Sequence, residues 1–395
     1  MLGLILSSVQ AIMQVMTIVF AGTLLATCGY IDDEQQKWLS RLNMIFFTPC
    51  LLFVNIASVV SLERLLNLWP VPAFYITFMF ISWIFCQTVS PLFDIDKHQK
   101  RFVLACTMFS NANSLPVAIM SGLAISEAGK SLYREVGDSQ AIVAARGVSY
   151  ILFFGLFSNF FRWSFGFNLL RKESKDEEEV VADYTSIISH ADPATLTSYG
   201  SIRTSEKDSS PLFRKIIKYI QGFMSPPLYA AILAFLVGLC NPLKNILYNK
   251  DSFFYVSFTH AIESCGKASV PIVLICLGAQ LKTIRQAQGT ISNKVQQTVK
   301  VTLLIRVFLV PLCIIPIIYA FSRLKLDLAK DPVFIVSMVI AGCMPTSINL
   351  AQITQANRAF QDEMLHVLFW SYGVACIPLC TFIVFAALYI VKELA

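Results

Sequence analysis

Two long apolar stretches of this chain are each interrupted by a proline set among small polar residues. One reads Phe109-Ser110-Asn111-Ala112-Asn113-Ser114-Leu115-Pro116, the other Cys343-Met344-Pro345-Thr346-Ser347-Ile348-Asn349-Leu350. A proline inside a helix removes an N–H donor and crowds the carbonyl four residues earlier. In hydrocarbon, the groups left unpaired are tolerated only where protein or an aqueous cavity satisfies them again. Paired broken helices in corresponding positions of two chain halves mark a secondary carrier whose site lies at the repeat interface.

The chain is 56% apolar and only 14% charged, where a soluble domain carries about a quarter charged residues. Its mean hydropathy is +0.63. The apolar residues gather in ten windows, near 4–28, 41–60, 68–90, 101–123, 140–165, 224–241, 254–281, 299–321, 331–354 and 364–391, each about 20 residues and long enough to span a bilayer. The expected fold is an all-α polytopic membrane protein of ten transmembrane helices. The first window lacks a basic flank before its apolar run and reads as a transmembrane helix rather than a signal peptide.

One long polar stretch, about Arg171 to Arg214, carries Asp176-Glu177-Glu178-Glu179 and many Ser and Thr residues. It has the composition of a disordered linker. The expected domains are a first five-helix repeat over 1–170, the linker over 171–215 and a second five-helix repeat over 216–395. An odd number of spans per half makes the second repeat enter the membrane from the opposite side, so the repeats are inverted. Pro49 and Pro116 lie 67 residues apart in the second and fourth spans, and Pro271 and Pro345 lie 74 apart in the seventh and ninth. Arg162, Arg171, Lys172 and Lys175 precede the linker and Arg214, Lys215 and Lys218 follow it, which places it in the cytoplasm by the positive-inside rule. The formal charge of +6 is confined to loops and points to lipid headgroups, not to nucleic acid.

The candidate site is the pair of breaks in the fourth and ninth spans. The N–H groups that open each second half-helix carry about half a positive charge, and two such ends meeting near the midplane attract a carboxylate without a fixed cation. Asn111, Asn113, Ser114 and Pro116 on one side, with Pro345, Thr346, Ser347, Asn349 and Gln352 on the other, are the expected substrate-binding residues. The alternative is that these amides only resatisfy backbone freed by the two prolines. Arg146, Lys267 and Arg306 lie inside spans, where a charge is costly and by default functional. Arg306 and Arg146 are expected to snorkel toward an interface. Glu263 and Lys267 are spaced for a helical ion pair, either structural or, through Glu263, a proton carrier for symport. Isolated His260 and His366 and eleven scattered cysteines suggest no metal site, no disulfide framework and no cofactor. No catalytic motif supports an enzyme.

With these residues named, the chain resembles the auxin efflux carriers, the PIN and PIN-like family, and looks closest to fungal members. The likeness rests on Leu42-Asn43-Met44-Ile45-Phe46-Phe47-Thr48-Pro49-Cys50-Leu51, the Asn-Ser-Leu-Pro segment ending at Pro116, Ala145-Arg146-Gly147, Arg162-Trp163-Ser164, Pro226-Pro227-Leu228-Tyr229 and Ser269-Val270-Pro271. The strongest block runs from Asp331-Pro332 through Gln352-Ile353-Thr354-Gln355 to Leu368-Phe369-Trp370 and Pro378. Where fungal relatives tend to have two prolines in the ninth-span break, Met344-Pro345-Thr346 keeps one. The resemblance implies two inverted five-helix repeats whose fourth and ninth helices cross as broken helices. They form a carrier domain that moves against a scaffold of the first, second, sixth and seventh spans. It also implies an organic-anion substrate such as an indole carboxylate, held near Asn111, Asn113, Pro116, Pro345 and Asn349. A homodimer and, from the short linker, an endoplasmic-reticulum membrane are implied as well. Proton- or sodium-coupled symport, and a ligand sensor built on a carrier fold, are the alternative functions.

Overall fold

A computed structural model of the chain describes residues 2–112, 114–134, 137–171, 224–286 and 292–393, with the side chains of 2–9, 11, 12, 114 and 283–286 outside that description. The linker expected over 171–215 therefore lies almost wholly outside the described residues. Those residues are helical, apart from turns, connecting segments and one isolated β-bridge. Six helices are long and apolar enough to cross a membrane: α2 (Asp33–Val59), α3 (Pro70–Leu92), α6 (Gln140–Leu169), α9 (Tyr255–Lys282), α10 (Asn293–Ser322) and α13 (Gln361–Lys392). A seventh candidate is the pair α7 (Pro226–Leu239) and α8 (Asn241–Tyr248), bent by 104°. Helix α1 (Leu2–Thr27) contains a shorter apolar segment, Met13–Thr27. The two interrupted stretches form two pairs of half-helices, α4 (Lys97–Met108) with α5 (Ser114–Ile125), and α11 (Pro332–Cys343) with α12 (Asn349–Ala356).

Local sequence starts these helices where polar caps precede apolar runs. Asp32 and Gln35 form a reciprocal capping box at the head of α2, satisfying two otherwise orphaned N–H groups. The side chains of Asp96, Ser139 and Asp331 accept backbone N–H groups at the starts of α4, α6 and α11. Proline shapes the interiors. Asn43–Phe47, Leu304–Leu309 and Phe369–Ala375 are wide π turns, and each is followed within three residues by Pro49, Pro311 or Pro378. A local widening relieves the clash of the proline ring with the preceding turn and keeps the helix continuous.

Burial runs opposite to that of a soluble protein. Phe20, Leu92, Phe253 and Phe308 are exposed, while Arg162, Arg306, Asn111 and Gln352 are buried. An apolar exterior of this extent is stable against lipid, not water. Helix α11 is the extreme case, with every residue from Pro332 to Cys343 buried, as expected of a helix apolar on all sides.

Two groups of helices pack within the chain. In one, α1, α2, α7 and α9 pack against one another; in the other, α11 is surrounded by α3, α6, α10 and α13. Glycines set the close approaches in the first group. A Cβ on Gly266 would lie 2.8 Å from the Leu51 backbone N, so α2 and α9 touch backbone to backbone. Cβ atoms on Gly22 or Gly278 would collide with the backbone of Ile275 or Val19. Small residues at such crossings let membrane helices gain packing without a hydrophobic drive between them.

Gly266→Val is accordingly expected to force α2 from α9 and destabilise the chain by about 1–3 kcal/mol, read as a lower thermal unfolding temperature in detergent. Gly373→Ala, whose Cβ would meet only Met16 Cε at 3.8 Å, is expected to leave that temperature unchanged.

Candidate functional site

The breaks between α4 and α5 and between α11 and α12 lie against each other. Ser110 and Thr346 form an antiparallel bridge. The N–H of Asn111 donates to Pro345 O at 2.8 Å, and the N–H of Ser347 donates to Phe109 O at 2.9 Å. Each break supplies the partner that the other lost when its helix ended.

Side chains complete the exchange. Ser110 Oγ donates to Ala341 O at 3.1 Å, and Thr346 Oγ1 donates to Cys106 O at 3.0 Å. A hydroxyl of each break thus caps the end of the opposite half-helix. Tyr372 Oη, on α13, donates to Thr346 O at 2.9 Å and accepts from Asn111 Nδ2 at 2.8 Å. Ser82, on α3, donates to Thr107 O at 3.1 Å. Buried backbone polar groups need such partners, and here they come from four other helices as well as from the facing break.

Two guanidinium groups finish the set. Arg306, 2% exposed, donates from Nε to Met344 O at 2.8 Å, from Nη2 to Gly342 O at 2.8 Å and from Nη1 to Thr107 O at 3.1 Å. Arg162, fully buried, donates to Ser110 O at 3.3 Å, Ser158 Oγ at 2.7 Å and Asn159 Oδ1 at 3.0 Å. Arg306 therefore does not snorkel: it is tied to both breaks. Its seventh-residue depth in the sequence window suggested an interface because the window could not show that α4 and α11 end beside it. Arg162 entered the sequence reading only through the family motif, and its place at the crossover is a structural finding. Arg162 Nε and Tyr75 Oη are buried without a hydrogen-bond partner among the described residues.

Half-helix C-termini carry partial negative charge and N-termini partial positive charge. The guanidiniums sit on the C-terminal carbonyls, so the negative ends are compensated while the N-termini of α5 and α12 are left positive. The centre is positive overall, a setting for an anion.

Of the expected site residues, Asn111, Thr346 and Ser347 are brought together at the bridge, with Pro345 contributing its carbonyl. Pro116 is buried in the first turn of α5 rather than at the break itself, where its missing N–H costs no helical bond. Asn349 opens α12 and is half-buried. Gln352 points elsewhere: its Nε2 donates to Thr48 Oγ1 of α2 at 2.7 Å, and Thr48 Oγ1 lies 2.9 Å from Ser269 Oγ of α9. Gln355 adds links to Ser40 at 2.8 Å and Gln280 at 3.2 Å. A neutral polar seam thus joins α12 to the helices of the other group. Asn113 and the Ser114 side chain lie outside the described residues.

The charged residues flagged in sequence sit apart from these contacts. Glu263 and Lys267 pair at 2.8 Å with Lys267 exposed. Arg146 pairs with Asp138 at 3.0 Å and with Asp331, the α11 cap, at 3.8 Å, while Tyr150 Oη donates to Asp331 at 2.8 Å. That cluster ties the start of α6 to the start of α11. A separate apolar cavity of about 390 Å³, with Phe157, Phe160, Phe161 and Phe235 in its wall, lies between α6 and α2 and α7.

Comparison with known proteins decides the family. The membrane transport protein family matches residues 7–383. The chain belongs to this family, that of the auxin efflux carriers and their PIN-like relatives. An uncharacterised transporter of Schizosaccharomyces pombe is 30% identical over 97% of this chain and 95% of its own length. An uncharacterised transporter of Saccharomyces cerevisiae is 29% identical with the same coverage, 97% and 95%. Protein PIN-LIKES 7 of Arabidopsis thaliana is 23% identical over 93% of this chain and 94% of its own. As a family member the chain is a multi-pass membrane transporter, and the crossed breaks are its most polar buried feature.

Thr346→Val, which keeps shape but removes the donor to Cys106 O, is expected to lower stability by about 1–2 kcal/mol. Ser110→Ala should act likewise through Ala341 O, while Thr346→Ser restores the wild-type value. Thermal unfolding in detergent reads all three.

Proposed function

We propose that this transporter is a carrier for a small organic anion such as an indole carboxylate, with its site at the crossed breaks. The observation that carries this reading is the electrostatic layout there: two buried guanidiniums cover the negative half-helix ends, and Asn349 and the N-termini of α5 and α12 are left for a carboxylate. Asn111, steered by Tyr372, lies on the facing side. Neutral and dipolar donors bind an anion without trapping it, which suits a site that must release its cargo.

The same geometry supports ten spans in two inverted repeats. The bridge at Ser110 and Thr346 is reciprocal, and Ser82 of α3 and Arg306 of α10 do similar work on opposite ends, thirteen and fourteen residues into their helices when both ends are counted. The group α1, α2, α7 and α9 is then the scaffold, and the body around α11 is the moving part. The polar seam from Gln352 and Gln355 to Ser40, Thr48 and Gln280 is the surface along which they slide. Hydrogen bonds between neutral groups can be exchanged along such a surface at small cost. The exposed Glu263–Lys267 pair fits a structural role better than a coupling one. The short linker favours an internal membrane, the endoplasmic reticulum.

Uptake of labelled indole-3-acetate into proteoliposomes under an imposed potential tests this. One charge crossing 100 mV gains about 2.3 kcal/mol, so uptake is expected to follow the potential's sign and to collapse in Asn111→Ala, Asn349→Ala. Uptake unaffected by the double substitution would remove the crossover as the site. Binding without flux would point instead to a ligand sensor.

A further inference from the structure

Every backbone carbonyl at a half-helix C-terminus is a ligand in waiting. The last carbonyls of a helix have no partner within it, and in carriers with broken helices such carbonyls are where a coupling cation is coordinated. In this chain those oxygens are already occupied. Arg306 reaches from α10 and joins Thr107 O of α4 to Gly342 O and Met344 O of the α11 break, at 3.1, 2.8 and 2.8 Å. The three oxygens come from both broken helices and converge on one positive charge. Among the described residues Arg306 has no carboxylate partner: its hydrogen bonds go to these carbonyls alone.

Three converging carbonyls around a single charge are the ligand set of an alkali cation. The guanidinium supplies the same charge at the same place, with donors aimed along three directions, and it cannot leave. We propose that Arg306 is a resident replacement for a coupling cation, holding the two breaks together so that the carrier works without sodium or potassium. This rests on the carrier reading above but concerns a different question, namely what holds the crossover closed as it moves. Arg306 is a positioning residue in this account: it touches carbonyls and not the substrate. Its partner side chains explain why a neutral residue does not suffice. Ser82 already meets Thr107 O, and Ser110 already meets Ala341 O, leaving Gly342 O and Met344 O with Arg306 as their side-chain donor.

The proposal makes two linked statements. The wild-type protein should be indifferent to the cation present, and removal of the guanidinium should create a site that a small cation can fill. The full-length chain, reconstituted in proteoliposomes, is compared in sodium, potassium and choline chloride at equal ionic strength. Wild-type uptake of labelled indole-3-acetate is expected to be the same in all three. Arg306→Ala is expected to lose about tenfold or more in choline, since charge-assisted hydrogen bonds are lost at buried carbonyls, and to recover partly with millimolar guanidinium or with sodium. In detergent, the unfolding temperature of Arg306→Ala should rise on adding guanidinium or sodium but not choline, by mass action on a site that only the folded state offers. The wild-type temperature should not respond.

Sodium-driven uptake in the wild type would overturn the proposal and needs no variant. Arg306→Ala that folds, yet responds to no cation in either measurement, would overturn it too and leave Arg306 as packing alone. Should Arg306→Ala fail to fold, Arg306→Lys keeps the charge on a single ammonium. Expected uptake for Arg306→Lys is reduced but still insensitive to sodium, and sodium-dependent uptake would count against the proposal. Absence of wild-type uptake in every cation would sink the indole-carboxylate reading, while the unfolding temperatures would still decide the role of Arg306.

Discussion

Inside a bilayer a helix that stops has no water to turn to, and everything at the centre of this protein follows from two helices that stop there. Each break strands carbonyls at one end and N–H groups at the other. The solution is mutual: Phe109 and Asn111 exchange backbone bonds with Pro345 and Ser347, and Ser110 and Thr346 cap each other's helices. What the breaks cannot supply to one another comes from Ser82, Tyr372, Arg162 and Arg306. The carbonyl half of the problem is solved by protein. The N–H half is left open to a ligand, and that asymmetry turns a structural defect into a site.

The cost of this arrangement explains the packing around it. Two guanidiniums without carboxylate partners are expensive in hydrocarbon, and they are affordable only because α11 is sealed on all sides and the carbonyls face them directly. The Asp138–Arg146–Asp331–Tyr150 cluster anchors the start of α11 where it meets α6. With that end fixed, the last turn of α11 is presented to Arg306 in a constant register. The glycine-mediated contacts of α1, α2 and α9 rigidify the other group of helices, so that strain at the crossover is not dissipated by bending the helices it faces.

Much of this was legible in the chain before any coordinates. The two proline-bearing breaks fall where Pro116 and Pro345 implied, and Asn111, Thr346 and Ser347 converge there, because local chemistry decides where a helix ends. What sequence could not show is which side chain of another helix would meet the freed groups. Arg306 is seven residues into its window, a depth compatible with snorkelling, and only the juxtaposition of α10 with α4 and α11 makes it central. Gln352 was grouped with the break by its position on α12, but one helical turn rotates it toward Thr48. The single signal that pointed to Arg162 was its place in a family motif, since hydropathy treats it as the polar end of a span.

A mobile crossover imposes one more condition. The contacts that hold the two breaks together must survive movement, while the contacts between the moving body and its surroundings must not. The chain separates these by chemistry. Within the crossover the partners are charge-assisted or backbone bonds, which are short and strong. Across to α2 and α9 they are amides and hydroxyls, Gln352 to Thr48 and Gln355 to Ser40 and Gln280, each worth little net and replaceable by a neighbour of the same kind. Placing the strong bonds inside one body and the weak ones between bodies is what lets the body slide as a unit, and no cation needs to bind or leave for it to stay intact.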